Sequence, residues 1–349
     1  MSSSSSADNF TPVFDGHNDV LLRLWASTEA NPVDRFINGE QVGHIDLPRA
    51  KKGGLAGGLC AIYVPSPSME KDANGDYPTP EHGEALRITL GMAALLAKIE
   101  AKSNGGLKIC RDADDIRTAM ANGAFASVLH IEGAEAISAD LDELYVLHQA
   151  GLRTLGPVWS RPNIFAYGVP FRFPSTPDIG PGLTDAGKAL IRACNELKIM
   201  VDLSHMNEKG FWDIAAISDA PLVASHSNVH TLCTHSRNVT EKQMDAIKET
   251  GGLMGINFGV SFLRADGQKI TATPLSEMVR HIDYIINRIG VDHVALGSDF
   301  DGTTIPDTLA SAADLQLLIA ELRKAGYDQE TIDKIAYKNW IRVLEKTWA

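Results

Sequence analysis

The sequence predicts a (β/α)8 TIM barrel with a metal site at the carboxyl ends of its strands. Three observations favour this fold: eight short apolar segments typical of buried parallel strands, helix-like segments between most of them, and His, Asp or Glu at the ends of several segments. The predicted strands span residues 13–17, 59–64, 126–132, 153–159, 199–205, 222–226, 253–258 and 293–299. The 349 residues suit one barrel, so we expect a single domain over residues 1–349, with residues 1–9 disordered.

The helix predicted between the second and third strands has a clear apolar period. Leu86, Leu90 and Ala97 recur at helical spacing within residues 84–102, and Gly105 and Gly106 lie beyond them as a stop signal. The same reasoning predicts helices at residues 184–197, 240–250, 274–289 and 311–324. Strands that alternate with helices in this way are typical of a parallel barrel with its helices outside.

Two connections, residues 65–82 and 160–182, are long for a compact domain, and loops of this length are commonly functional. The second loop is rich in aromatic and basic side chains: Arg161, Phe165, Tyr167, Phe171, Arg172 and Phe173. These side chains could form the wall of a pocket. They could equally pack as an aromatic cluster over the barrel mouth or form a subunit contact, and the sequence leaves both interpretations open.

Composition excludes several classes of partner. Formal charge is −12, from 44 acidic and 32 basic side chains, which disfavours nucleic acid because phosphate repels such a surface. No run of 18 apolar residues is present, so no membrane partner is expected. Residues 1–6 lack the basic and apolar stretches of a secretory signal, and four scattered cysteines without a Cys-x-x-Cys motif favour buried, reduced thiols. We therefore expect a soluble cytoplasmic protein.

Five residues at the predicted strand ends have side chains that suit metal binding. His17 and Asp19 are two residues apart, so they can share one face at the end of the first strand. Glu132, His205 and His226 end three later strands. Three imidazoles and two carboxylates suit zinc, but they exceed the needs of one tetrahedral catalytic ion. Two ions that share a carboxylate would use all five ligands, and Glu132 is the natural bridge.

Asp299 ends the last predicted strand and is the sixth candidate. It could be a further ligand or a base that transfers a proton between metal-bound water and a leaving group. Asp301 lies two residues later and remains an alternative for the same role. His130 alternates with Glu132 but receives little weight as a catalytic group.

With these residues in place, the chain resembles the membrane (renal) dipeptidase family of binuclear zinc peptidases over nearly its whole length, from Asp15 to the C-terminal helix. The motifs that carry the resemblance are Asp15-Gly16-His17-Asn18-Asp19, Glu132-Gly133, Asp202-Leu203-Ser204-His205, Ser225-His226-Ser227, Arg237-Asn238-Val239 and Gly297-Ser298-Asp299-Phe300-Asp301-Gly302. Because the chain shows neither the membrane anchor nor the secretory signal of animal members, it is similar to a soluble bacterial-type member.

The resemblance implies a role for each metal candidate. The first of two zinc ions would bind His17, Asp19 and Glu132. The second would bind Glu132, His205 and His226. The resemblance also makes Asp299 the catalytic aspartate.

Two further residues take substrate-binding roles from the resemblance. Arg237 matches the family's arginine for the free carboxylate of the dipeptide, and its planar fork suits that contact. Trp159 stands where animal members have a histidine that contacts the scissile carbonyl. Since Trp offers one donor and no charge, this difference bears on oxyanion stabilisation and on which dipeptides fit.

The resemblance implies a metal-dependent dipeptidase that acts on small dipeptides, including those of the L-Xaa-D-Xaa type. A hydroxide bridging two Zn²⁺ ions would attack the carbonyl, and Asp299 would carry the proton to the departing amine. A homodimer is also expected from the family. One alternative is a binuclear amidohydrolase of the same fold that acts on N-acyl amino acids or lactam or lactone rings. The other is a noncatalytic scaffold, which the complete set of matched metal positions disfavours.

Overall fold

The computed structural model describes residues 10–73 and 75–349, so the disorder expected for residues 1–9 concerns residues outside the described part. The strands are β1 (Val13–Asn18), β2 (Leu55–Tyr63), β3 (Leu107–Ile109), β4 (Phe125–Glu132), β5 (Leu152–Gly156), β6 (Met200–Val201), β7 (Val223–Ala224), β8 (Leu253–Ile256) and β9 (Val294–Leu296). All except β3 overlap the eight strands that the sequence predicts. The short β3 carries no continuous apolar run, and it pairs only with β4.

Helices follow most of the strands. They are α1 (Val20–Ala26), α2 (Pro32–Asn38), α3 (Leu47–Gly53), α4 (His82–Lys102), α5 (Ala113–Ala121), α6 (Asp142–Ala150), α7 (Asp185–Leu197), α8 (Glu208–Ile217), α9 (Glu241–Glu249), α10 (Val260–Leu263), α11 (Ser276–Ile289), α12 (Leu315–Lys324), α13 (Gln329–Asp333) and α14 (Asn339–Trp348), with a π-helical turn at Lys334–Lys338 and short 3-10 turns at Val291–His293, Asp307–Leu309 and Ala312–Asp314. The five predicted helices are confirmed within a few residues, and Thr184 caps α7 by accepting from the Gly187 amide. Among the helices of the described residues, none has the length and apolarity needed to cross a membrane.

The strands form two parallel sheets that curl toward each other. The first has the order β1-β2-β4-β5-β6, with β3 beside β4, and the second has the order β7-β8-β9. Single bridges connect the sheets at both seams, from Asp202 to Val223 and from Asn18 to Phe300. The structure thus shows a mixed α/β fold with a curled parallel sheet, and the prediction of a complete (β/α)8 barrel is confirmed only to that extent.

The seam beside β6 and β7 has a physical cause. The Asp202 carboxylate accepts the main-chain N–H groups of Ser204 and Ser225, at 3.0 and 2.8 Å. These two amides therefore donate to a side chain. In a longer strand they would donate to a carbonyl of the neighbouring strand. As a result, the ends of β6 and β7 turn early into the loops that carry the functional side chains.

An apolar cluster fills the space enclosed by the two sheets. It contains Phe14, Leu59, Ala126, Val128, Met200, Val223, Leu253 and Ala295 from the strands. Trp340 of α14 joins this cluster, is fully buried, and donates from Nε1 to the Leu296 carbonyl at 2.8 Å. Gly16 lies against the same indole: a Cβ there would come within 2.5 Å of the Ser225 carbonyl oxygen. The packing therefore fixes how β1, β7 and β9 meet beneath the metal candidates.

Replacing Trp340 with Ala should destabilise the fold strongly, because the change leaves a cavity and an unsatisfied carbonyl in this cluster. We expect a loss of about 3–5 kcal/mol in the free energy of unfolding, measured by urea titration. Trp212 of α8 is 38% exposed and provides the control. A Trp340→Ala loss no larger than that of Trp212→Ala would show that the indole does not hold the strands together.

Candidate metal centre and active site

The five predicted metal ligands lie together at the carboxyl ends of four strands. His17 belongs to β1 and Asp19 follows it, Glu132 is the last residue of β4, and His205 and His226 lie just beyond β6 and β7. All five residues are buried, with at most 5% of their surface exposed. Carboxylates and imidazoles buried together in this way are expected where the side chains share a cation.

Glu132 lies between the other four, with one carboxylate oxygen toward each side. Its Oε2 is 3.6 Å from His17 Nε2, which in turn is 3.4 Å from Asp19 Oδ2. Its Oε1 is 2.9 Å from His205 Nε2 and 3.5 Å from His226 Nε2. One carboxylate oxygen thus faces His17, and the other faces His205 and His226. The His17 and His226 rings also stack directly, with centres 3.8 Å apart, so the five donors form one compact cluster.

The donors fit divalent cations because several of them have no other partner. Both ring nitrogens of His17 and Oδ1 of Asp19 are buried without a hydrogen bond. His205 Nε2 and His226 Nε2 face each other at 3.1 Å, while their Nδ1 atoms contact the hydroxyls of Ser160 and Ser225, each at 2.7 Å. With the ring protons on the two Nδ1 atoms, the Nε2 lone pairs converge, which is an arrangement that suits a cation. The N and O donor set suits zinc.

Burial and mutual charge shift the pKa values of the cluster strongly. Burial acts to lower the pKa of His17, but the carboxylates of Glu132, Asp19 and Asp299 raise it to about 10. Burial raises the pKa of Glu132 well above its usual range and that of Asp299 to about 7. The metal-free cluster therefore holds protons where a cation would otherwise balance the carboxylates.

Burial has the opposite effect on the second pair of imidazoles. It lowers the pKa values of His205 and His226 well below their ordinary value, and the positive charges of Arg237 and His17 act in the same direction. Both rings are therefore neutral near pH 7, which is the form that binds a metal.

Asp299 lies beside the cluster, and Asp301 does not. Asp299 has a left-handed backbone, with φ of 58°, and its Oδ2 accepts from Asn257 Nδ2 at 2.8 Å. Together with His17 and Asp19 it forms a possible ligand group. The Asp301 carboxylate is instead held by Arg23 Nε at 2.9 Å and by the main-chain N–H of His44 at 2.6 Å. Of these two carboxylates, that of Asp299 lies with the metal candidates and that of Asp301 is held elsewhere.

Arg237 is buried between the main chain of His226 and the ring of Phe262. Its Nη1 donates to Ser227 Oγ and its Nη2 to the His226 carbonyl, both at 3.1 Å, while Nε has no partner. Its guanidinium carbon lies 5.8 Å from the centre of the Phe262 ring. Burial lowers the pKa of Arg237 to about 10, so the group remains a cation at neutral pH.

A cavity of about 300 Å³ opens onto the cluster. Its ionisable side is formed by Asp19, Glu132, His205 and Asp299, and its apolar side chains come from Leu22, Tyr63, Pro65, Met69, Trp159, Phe171 and Phe262. Trp159 packs against Tyr63, with ring centres 5.2 Å apart, and lies 6.0 Å from the His205 ring. A small molecule in this cavity would contact both the ionisable groups and an aromatic wall.

The aromatic loop at residues 160–182 contributes unequally to this wall. Phe171 lines the cavity, whereas Phe165 is fully buried in the core and the Tyr167 hydroxyl donates to Asp76. Phe173 is exposed. Arg161 is fully buried, with Nε 2.9 Å from Glu135 Oε1. The pocket-wall interpretation therefore holds for Phe171, and the other side chains mainly pack the loop.

Three residues at the site were not recognised in the sequence: Tyr63, Asn257 and Phe262. Tyr63 pairs directly with Glu132 in the β2–β4 register, so alignment of the two strand ends could have identified it. Asn257 lies within the predicted strand 253–258, where a polar residue in an apolar run was the available signal. Phe262 lies on the short helix α10, and no sequence feature distinguishes it from core residues.

Buried carboxylates and imidazoles at the carboxyl end of a curled parallel sheet, next to a small cavity, fit the class of metal-dependent enzymes. Residues 6–349 match the family model of membrane dipeptidases, peptidase family M19. The chain therefore belongs to the membrane dipeptidase family, and it is an enzyme of the metallopeptidase class.

Individual relatives agree with this assignment. A metallopeptidase of Rhodobacter sphaeroides, solved with a phosphinate mimic of the dipeptide L-Ala-D-Ala, is 48% identical, has a TM-score of 0.93, and covers 97% of this chain and 100% of its own. A dipeptidase of Claviceps purpurea is 30% identical over 336 residues, which are 95% of this chain and 76% of the relative. An uncharacterised protein of Klebsiella pneumoniae is 49% identical over 266 residues, 76% of this chain and 98% of the relative.

The metal-free protein should lose thermal stability between pH 7 and pH 9, and zinc should suppress this loss. In the folded protein the pKa of His17 is raised to about 10 from an ordinary 6.5. The stability from its proton is therefore complete below about pH 6.5 and is lost as the pH rises toward 10. A bound cation would replace that proton.

Melting temperatures at pH 7 and pH 9, with chelator and with zinc, measure this effect. His17→Gln is the control and should flatten the pH dependence of the metal-free protein. If the metal-free wild type melts at the same or a higher temperature at pH 9, the proposed charge balance around His17 is incorrect.

Proposed function

We propose that the protein is a dipeptidase that uses two zinc ions to hydrolyse dipeptides, including those of the L-Xaa-D-Xaa type. The observation that carries this proposal is the position of Glu132, whose two carboxylate oxygens face separate groups of nitrogen and oxygen donors. Such a carboxylate is suited to bridge two ions. The dipeptide mimic bound by the Rhodobacter sphaeroides relative supports a substrate with a D-residue at its carboxyl end.

Each ion would have its own ligands apart from the shared carboxylate. His17, Asp19 and Glu132 would hold one ion, and Glu132, His205 and His226 would hold the other. Bound there, the two zinc ions would supply a bridging hydroxide as nucleophile and polarise the scissile carbonyl.

Asp299 is suited to move the proton that this reaction requires. Burial raises its pKa to about 7, so it can both accept and release a proton near neutral pH. The hydrogen bond from Asn257 Nδ2 to Asp299 Oδ2, at 2.8 Å, fixes the orientation of the carboxyl group. In this proposal Asp299 takes the proton of the nucleophile and delivers it to the departing amine.

Arg237 and Trp159 would orient the dipeptide. The Arg237 cation lies beside His226, outside the residues that line the cavity, and its Nε has no protein partner. In this proposal a bound substrate reaches that N–H with its terminal carboxylate. Trp159 lines the cavity next to His205 and would contact the substrate near the scissile bond. The cavity of about 300 Å³ is of a size suited to a small ligand.

The wider organisation follows from the same proposal. The single bridges at both seams support a complete eight-stranded barrel that forms one domain over the chain. All four cysteines are buried and free, which supports the reducing environment of the cytoplasm. A homodimer remains a prediction from the family.

A substrate panel tests the proposed function. Zinc-loaded protein should hydrolyse L,L and L,D dipeptides with higher kcat/KM than N-acyl amino acids or lactams. The matched variant Asp299→Asn should retain the metals and the fold but lose about 100-fold or more in kcat, since general acid–base catalysis contributes 10² to 10⁴. Absence of dipeptide turnover would overturn the proposal, and faster turnover of N-acyl substrates would favour an amidohydrolase.

Replacing Arg237 with Met removes the cation and its fork while keeping the length of the side chain. A free dipeptide should lose a charge-assisted contact of about 1.5–3 kcal/mol. This corresponds to about a 10-fold to 150-fold loss in kcat/KM. A dipeptide amide lacks the carboxylate and should react almost equally with both proteins.

The two substrates and two proteins form a thermodynamic cycle of the double-mutant type. The losses in kcat/KM are coupled only if the Arg237 guanidinium contacts the substrate carboxylate. Equal losses for the acid and the amide would give Arg237 a structural role instead.

A further inference from the structure

A chain of three side chains leads from the interior of the sheet to one of the proposed metal ligands. Asp202, at the end of β6, accepts from Ser225 Oγ at 2.5 Å on its Oδ2 atom. Ser225 Oγ lies 2.7 Å from His226 Nδ1, and His226 Nε2 faces Glu132 and His205. All three residues are at most 1% exposed, so water does not compete for these contacts.

The direction of these hydrogen bonds follows from the donors around Asp202. Its Oδ1 accepts the main-chain N–H groups of Ser204 and Ser225, and its Oδ2 accepts from Ser225 Oγ, so the carboxyl group acts as an acceptor on both oxygens. The proton between Asp202 Oδ2 and Ser225 Oγ therefore belongs to the serine, which donates it to the carboxyl oxygen. The hydroxyl has no second proton, and it must therefore accept one from His226 Nδ1. This leaves the lone pair of His226 on Nε2, toward the cluster.

We propose that Asp202 and Ser225 are positioning residues that fix the tautomer of His226 and so prepare the second metal site. This inference rests on the proposed function, because it assumes that His226 binds a metal. The other imidazole of that site differs, because Ser160 Oγ, which contacts His205 Nδ1, has no carboxylate partner among the described residues. The position and tautomer of the imidazoles at the second metal site should therefore depend more on Asp202 than on Ser160.

The main-chain amides also determine what an amide side chain at position 202 would do. In an Asp202→Asn variant the carbonyl oxygen must take the place of Oδ1, because two N–H groups point there. The NH2 group would then face Ser225 Oγ and donate to it. The serine would turn its own proton toward His226 Nδ1, which moves the ring proton to Nε2 and blocks the metal-binding lone pair.

Asp15 provides a matched control for this substitution. Its Oδ1 accepts from the Ser298 amide at 2.6 Å, and its Oδ2 accepts from Ser298 Oγ at 2.8 Å and from Asn18 Nδ2 at 3.2 Å. Like Asp202, it is a buried carboxyl group that accepts from a main-chain amide on one oxygen and from a serine hydroxyl on the other. The Ser298 hydroxyl, however, lies 3.2 Å from the His17 carbonyl oxygen and not beside a ring nitrogen. An Asp15→Asn variant thus makes the same chemical change without a reversed bond to an imidazole.

The test combines zinc affinity with a direct measurement of the tautomer. Chelator competition on the full-length protein should show two bound zinc ions for wild type. Asp202→Asn should bind one of the two ions about 100-fold more weakly, and Ser225→Ala should bind it about 10-fold more weakly. The zinc affinity of Asp15→Asn should stay within about 3-fold of that of wild type. This is less than the 10-fold to 100-fold loss typical when a residue that hydrogen-bonds a metal ligand is removed. Long-range ¹⁵N–¹H spectra of the imidazoles in the metal-free protein, assigned with His226→Gln, should show the proton of His226 on Nδ1 in wild type and on Nε2 in Asp202→Asn.

The outcomes separate this inference from the proposed function. A folded Asp202→Asn variant with wild-type zinc affinity and the Nδ1 proton in place would overturn the role of Asp202. If that variant does not fold, Ser225→Ala provides the test. Weaker zinc binding and a changed His226 spectrum would support the proposed hydrogen-bond chain, and an unchanged zinc affinity and spectrum would overturn it. A wild type that binds no zinc would contradict the proposed function, while the spectra of the metal-free protein would still test the hydrogen-bond direction.

Discussion

The burial of the Glu132 carboxylate among donors from three other strands is the constraint on which the rest of the structure depends. A buried carboxylate is costly unless a cation or several hydrogen bonds compensate it. Around Glu132 the imidazoles of His205 and His226 are neutral, and the proton on His17 must offset the carboxylates of Asp19 and Asp299 as well. The protein must therefore bring the ends of β1, β4, β6 and β7 to one point and leave space for cations. The curled sheet, its early strand ends and the apolar cluster below all serve this convergence.

Backbone geometry near the site shows what this convergence requires. His205 and Asp299 have left-handed backbones, with φ of 65° and 58°, which non-glycine residues rarely adopt. Each turns the chain sharply just after a strand, so that the side chain points back over the sheet. Such local strain persists only where surrounding contacts hold it, and here the Asp202 carboxylate, Asn257 and the packed Trp340 provide those contacts.

Much of the fold was predictable, since buried strands and amphipathic helices have characteristic periods. His17 and Asp19 were recognisable because a spacing of two places both on one face of a strand, and His205 and His226 because each ends an apolar run. The short helices α2 and α3 begin at or beside a proline and carry few apolar residues, so periodicity could not identify them. The side chain of Asp301 was also beyond sequence reasoning, because its direction depends on Arg23 and His44, which are distant in the chain.

The most direct measurement of the central claim is the anomalous diffraction of zinc in crystals of the metal-loaded protein. The account requires two zinc peaks that share Glu132, one also bound by His17 and Asp19 and the other by His205 and His226. A single peak, or two peaks that do not share the Glu132 carboxylate, would contradict it.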